Sequence, residues 1–198
     1  MAYQYPLELT FKLFSLTPQI SLVDQQGNSL FYVRQQLFRL KEVINIFTDS
    51  QRTQELFTIR ADRVIDFSAR YNFTDRDGQP LGSVKRKGMK SLWKAHYDVF
   101  DTQGDQVIFT IEEENPWVKV MDALFAEIPV VGMFTGYLFN PAYHVNRPDG
   151  TLVMRLEKRP AFFSRIFTIK QMNMLNGREE SQVLLSLLML LLLERNRG

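Results

Sequence analysis

The sequence predicts a mainly β protein, a closed antiparallel barrel of about twelve strands enclosing a hydrophobic carboxy-terminal α-helix. Three observations carry that expectation. A strand-turn-strand unit recurs with a period of roughly 26 residues, visible in the spacing of Asp24, Asp49, Asp75 and Asp101. Its arms alternate apolar and polar residues, the pattern of strands buried on one face. After the last arm comes Val183 to Leu193, apolar except for Ser186.

Composition sets the frame for these elements. The 198 residues read as one domain, 1–198, near the upper size that one core serves. Hydrophobic residues at 45% and aromatics at 13% exclude a disordered chain. Lys plus Arg at 24 against Asp plus Glu at 22 gives a net charge of +2, too small for wholesale nucleic-acid binding. Any basic site is therefore local. The cysteine count of 0 removes disulfides, thiolate zinc sites, cysteine nucleophiles and palmitoyl anchors, and it favours a reducing compartment. Met1 to Leu9 has no basic stretch, and no apolar run precedes Glu8. The expectation is no secretion signal and a cytoplasmic protein.

The strands follow in order. An opening arm, Glu8 to Ser15, precedes a first hairpin from Ser21 to Arg34 that turns at Asp24-Gln25-Gln26-Gly27. The second pairs Val43 to Phe47 with Glu55 to Arg60, turning after Asp49. In the third, Ile65, Phe67, Ala69, Tyr71 and Phe73 alternate with polar residues up to Asp75-Arg76-Asp77-Gly78. Trp93, Ala95, Tyr97 and Val99 lead into the fourth, which turns at Asp101 to Gly104 and returns through Val107 to Ile111. The fifth turns at Asn146 to Gly150, and Ile166 to Gln171 closes the set. Asp recurs because its carboxylate bonds its own backbone two residues on, and Gly because it supplies a positive φ. Asp75 to Gly78 resembles the start of a calcium loop, but Arg86 stands where position twelve needs a bidentate glutamate. It reads as a turn.

Two helices interrupt this pattern. Asn115-Pro116 offers an N-cap and a first-turn proline, with Trp117, Val120, Met121 and Leu124 on one apolar face. The second spans about 179–195, with Glu179 and Glu180 at its start and Arg195 and Arg197 at its finish, as the helix dipole favours. The eleven residues Val183 to Leu193 reach only ~16 Å as a helix, about half of a ~30 Å hydrocarbon core. Ile128 to Phe139 is broken by Pro129, Gly132 and Gly136. No transmembrane span is predicted. A helix apolar on every side must be surrounded, and a barrel of about twelve strands leaves a lumen wide enough to hold it.

The repeated Asp-x-x-Gly hairpins resemble the LURP-one-related proteins, within the superfamily of tubby carboxy-terminal domains and phospholipid scramblases. So do the paired Leu56-Phe57-Thr58-Ile59-Arg60 and Phe109-Thr110-Ile111 arms, the Gly82-x-Val84-Lys85 strand leading to Trp93, and the terminal apolar helix. The resemblance covers essentially the whole chain. It implies the helix-filled barrel and no established enzymatic activity. Tubby domains bind phosphoinositide head groups through basic residues on the barrel wall, and scramblases are associated with phospholipid movement and calcium. The cysteine-rich palmitoylation stretch is absent and no acidic calcium loop precedes the last helix, which argues against scrambling here.

The strongest local charge cluster is Lys85, Arg86, Lys87, Lys90 and Lys94, five bases without an acid in ten residues. These are the anion or phospholipid candidates. Strand alternation puts Lys85 and Lys87 on one face and Arg86 on the other, and Gly88 permits a bend that brings Lys90 round. The plainer alternative is a solubilising outer face. No nucleophile elbow, phosphate loop or dinucleotide turn occurs. His96 and His144, the only histidines, read as core or surface residues, and Glu112-Glu113-Glu114 reads as a solvated strand end. No cofactor or metal is expected. Trp117 and Phe162-Phe163 are the alternative contact surface, for a protein partner.

Overall fold

The computed structural model describes residues 3–12, 19–34, 43–63, 69–88, 95–114, 141–160 and 164–195. Its strands are β1 (Leu7–Lys12), β2 (Gln19–Val23), β3 (Ser29–Arg34), β4 (Val43–Phe47), β5 (Glu55–Ala61) and β6 (Arg70–Asp75). They continue as β7 (Pro80–Arg86), β8 (His96–Phe100), β9 (Val107–Glu113), β10 (Ala142–Asn146), β11 (Leu152–Arg159) and β12 (Ser164–Gln171). The helix α1 (Gly177–Arg195) follows. Each strand is hydrogen-bonded to its sequence neighbours, and β1 pairs with β12, so the sheet closes on itself with no free edge. All register pairs are antiparallel, from Leu7↔Ile169 at the closure to Met154↔Gln171.

The period-two pattern becomes an inside and an outside. Leu9, Ile20, Phe31, Ile44, Ile59, Phe73, Val84, Val99, Ile111, Val145, Leu156 and Ile169 are buried, one from each strand, and join a single hydrophobic core. That core also contains α1, whose side chains from Gln182 to Leu193 are all buried. The barrel therefore sheathes the helix, as its lack of a polar face requires. Each buried leucine contributes about 1.5–3 kcal/mol by leaving water.

The hairpin turns crown one rim because successive connections in an up-and-down barrel alternate ends. Each is preceded by a register shift, at Leu22/Val23, Ile46/Phe47, Phe73/Thr74, Val99/Phe100 and Val145/Asn146. The extra residue is the bulge that a left-handed turn residue imposes. In the first turn Asp24 Oδ1 accepts from the backbone N–H groups of Gln26 (2.9 Å) and Asn28 (2.8 Å). In the fifth, Arg147 rather than an aspartate opens the turn, its carbonyl accepting from Gly150 N at 2.9 Å.

These turns make stability depend on acid. Asp24, held by the Asn28 side chain, Asp49, held by the Thr53 hydroxyl, and Asp149, held by the Thr151 backbone N–H, all titrate below the ordinary aspartate range. A carboxyl depressed in the folded state contributes stability above its unfolded pKa of about 3.9 and loses it as pH falls through the folded value. Glu180 is shifted the opposite way, chiefly by burial, and offsets part of this. The urea midpoint is expected to hold from neutrality to about pH 5 and then to fall as pH drops through about 4 and lower. A midpoint that rises over that acid interval contradicts the assignment.

The helix starts two residues earlier than the sequence pattern suggests. Asn176 is its cap: Oδ1 accepts from Arg178 N (3.1 Å) and Glu179 N (3.0 Å), while Glu179 Oε2 accepts from Asn176 N (3.0 Å). This reciprocal pair is a capping box. Arg147 then clamps the same glutamate through Nη1–Oε1 at 2.6 Å and Nη2–Oε2 at 3.1 Å. Among the described residues, no helix is long and apolar enough to cross a membrane. The expected helix at Asn115 to Leu124, the segment Ile128 to Phe139, and Trp93 lie outside the described residues.

Candidate functional site

Strand β7 divides the basic run between the two sides of the wall. Val84 points inward and is fully buried, so Lys85 emerges outside, half-buried, and Arg86 turns in with only 4% exposure. Arg86 is therefore corrected from wall residue to interior residue: the alternation that exposes Lys85 removes it from any external anion. Lys87, just past the strand, is exposed; its backbone N–H donates to His96 O at 2.9 Å and its Nζ lies 4.0 Å from Asp98 Oδ1. Gly88 bends the chain with φ 45°. Lys90 and Lys94 lie outside the described residues, as do Trp117 and Phe162-Phe163.

The neighbouring strands add bases that the linear run does not contain. Arg70 stands opposite Lys85, and Arg60 opposite Asn72, on the outer faces of β6 and β5. The Arg70 guanidinium lies 4.0 Å over the Phe100 ring and donates to Gly104 O at 2.6 Å. Asp62 at the margin feels this charge. Desolvation pushes its carboxyl up, but the Arg63 guanidinium, the Arg70 backbone N–H and the Lys85 charge together hold it below the ordinary range. Arg60, Arg70, Lys85 and Lys87 thus share one outer face spanning β5 to the end of β7. The missed signal was strand pairing, which unites positions far apart in sequence.

Beyond Asp98 the outer wall changes character. His96 places Nε2 3.2 Å from Asp98 Oδ1 and Nδ1 3.2 Å from Glu112 Oε1. His144 Nε2 lies 3.3 Å from Glu114 Oε2, which also accepts from Arg155 at 2.8 Å. Arg155 continues to Glu157, and Glu157 to Lys170 at 3.0 Å. Both histidines are surface residues of an ionic ribbon running from β8 to β12. Among the described residues no three His, Cys, Asp or Glu side chains gather as metal ligands. Pairs of this exposure contribute about 0–1 kcal/mol each.

Inside the barrel, Arg86 meets the carboxy-terminal end of α1. Its Nη2 lies 3.5 Å from Glu194 Oε1, which also accepts from the Tyr97 hydroxyl at 2.8 Å. Glu113 is fully buried nearby, its Oε2 3.4 Å from Ala95 N. The Glu112 to Glu114 run is thus not one solvated strand end, because alternation sends its middle carboxylate into the core. Burial, followed by the adjacent carboxylates, pushes the Tyr97 and Tyr143 hydroxyls far above the ordinary phenol range. These groups anchor the helix from inside the barrel.

A crystal structure of a protein from Arabidopsis thaliana aligns with 98% of this chain and 94% of its own at 15% identity, with a TM-score of 0.49. A porin-like protein from Bacteroides uniformis aligns with 83% of this chain and 94% of its own at 8% identity, with a TM-score of 0.21. No curated protein sequence matches. The family model described as LURP-one-related matches residues 29–174, from the first residue of β3 to the loop ahead of α1. With most of the barrel inside that match, the chain belongs to the LURP-one-related family.

Proposed function

We propose that this protein is a non-enzymatic binding module whose outer basic face meets anionic phospholipid head groups at a cytoplasmic membrane surface. The observation that supports the reading is the shared face of Arg60, Arg70, Lys85 and Lys87 on β5 to β7. Basic residues near an anionic membrane contribute about 1 kcal/mol each, screened over roughly 10 Å at 0.1 M salt. The attraction is therefore additive and salt-sensitive, and it needs no deep pocket. Arg70 is held by Phe100 and Gly104, so it sets a fixed charge between the two lysines and Arg60.

Sedimentation with phosphatidylserine-containing vesicles tests it. Binding is expected at low salt and not with phosphatidylcholine alone. Lys85→Glu with Lys87→Glu should weaken it on the order of 30-fold or more, from about 1 kcal/mol for each base lost. Arg76→Glu, on a hairpin turn at the opposite rim, should leave it unchanged. Equal sedimentation with anionic and neutral vesicles at low salt ends the proposal.

A further inference from the structure

Two of the five hairpin turns depart from the shared pattern, and both do so with an arginine. Four turns place glycine at the left-handed position: Gly27 (φ 84°), Gly78 (φ 75°), Gly104 (φ 80°) and Gly150 (φ 87°). The second turn holds Arg52 there at φ 60°, and among the described residues no other non-glycine residue has a positive φ. A Cβ in that conformation crowds the following carbonyl, so side chains are rarely found in it. The other departure, Arg147, has a structural task, since it clamps Glu179 and lies 5.3 Å over the Phe109 ring.

Arg52 has no comparable task. Among the described residues no carboxylate pairs with its guanidinium. Asp49, in the same turn, is occupied: Oδ1 accepts from Gln51 N at 2.8 Å and Thr53 N at 3.4 Å, and Oδ2 from the Thr48 hydroxyl at 3.1 Å and from the Thr53 hydroxyl. What Arg52 does is line a cleft. Strands β3 and β4 meet at the single register pair Tyr32↔Phe47, whereas their other neighbours pair along most of their length. The seam between them opens into a cleft of about 290 Å³ whose polar side chains are Arg34, Asn45 and Arg52, with no acid in its described lining.

We propose that this seam cleft binds a phosphate group, held between the Arg34 and Arg52 guanidiniums with the Asn45 amide as a third donor. Guanidinium presents a planar fork that matches two phosphate oxygens, and Arg34, Asn45 and Arg52 are all exposed, so an incoming anion reaches them directly. The cleft volume, at the small end for ligand sites, suits a phosphate ester rather than a large cofactor. A glycine would relieve the turn, whereas the arginine there places a guanidinium on the cleft lining. The site lies on β3, β4 and their turn, and it stands whether or not the β5 to β7 face meets lipid.

Titration calorimetry with glycerol 3-phosphate at low salt is the first test, and sedimentation with phosphatidic acid vesicles the second. Binding to either is expected, and the two arms tell a soluble ester from a lipid head group. Arg52→Gly should weaken it at least tenfold while the thermal midpoint stays or rises, a combination a purely structural arginine does not produce. Arg34→Gln, away from the turn, should weaken it to the same degree and serves alone if the turn variant fails to fold. No binding of either probe overturns the proposal, as does binding that survives both arginine variants. Binding lost only in the Lys85→Glu and Lys87→Glu variant also overturns it and assigns the anion to the other face.

Discussion

Arg86→Met is expected to destabilise the protein by about 3–5 kcal/mol, the usual penalty for stripping one partner from a buried ion pair. Arg86 is 4% exposed, and the substitution leaves Glu194 beside a side chain that cannot neutralise it. Methionine nearly preserves the volume, so the loss reads charge rather than packing. Glu194→Gln should carry a comparable penalty, since it leaves the Arg86 charge buried without its carboxylate, softened only by the amide oxygen, which still accepts from the Tyr97 hydroxyl that sits 2.8 Å from the present carboxylate. Combining the two should recover part of the loss, giving a coupling of about 1–3 kcal/mol in a double-mutant cycle. Urea denaturation of the four proteins measures it. Additive losses would mean that Arg86 and Glu194 act independently.

Gly82→Ala should be nearly as damaging, about 3 kcal/mol or more, although it adds one methyl group. The backbone there has φ 130°, and a Cβ would lie 2.5 Å from Phe100 O on β8 and 3.1 Å from Gln182 Nε2 on α1. Gln182 can yield, but the Phe100 carbonyl belongs to the adjacent strand and cannot move without opening the β7–β8 ladder. The contact also reaches the helix, because Gln182 Nε2 donates to Leu81 O at 2.5 Å. Gly78→Ala supplies the contrast. Its φ is 75°, yet a Cβ would meet nothing within 4 Å, so only the conformational cost of about 1 kcal/mol remains. Equal losses at the two glycines would refute the close approach of β7 to β8 and α1.

Much of this fold was legible because its rules are local. Aspartate and glycine at fixed offsets announce their own turns, and period-two arms announce their faces. The helix announced its surroundings by lacking a polar side. What stayed hidden depends on partners distant in sequence. Alternation alone sent Arg86 to the face opposite Lys85, but naming that face the interior required Val84 as a guide. Pairing Arg86 with Glu194 required knowing where α1 stops. Glu113 looked like part of an acidic surface run, since three like residues in sequence conceal that a strand divides them. Arg60 and Arg70 entered the basic face only through register with β6 and β7. Asn176 was visible as a capping box three residues before Glu179, and the expected start at about residue 179 passed over it. The second turn's lack of glycine was present in the sequence, but its meaning depends on the φ of Arg52 and the weak β3–β4 seam.

The order of the elements has a consequence for synthesis. All twelve strands emerge from the ribosome before α1, so a nascent chain holding only the strands has a hollow interior whose lining still faces water. Closure between β1 and β12 likewise joins segments translated far apart, and topologies of such high contact order fold slowly, in milliseconds to seconds. The native state is therefore reached after translation has passed the helix. Until then a dozen apolar arms depend on chaperones or on fast elongation to escape intermolecular pairing.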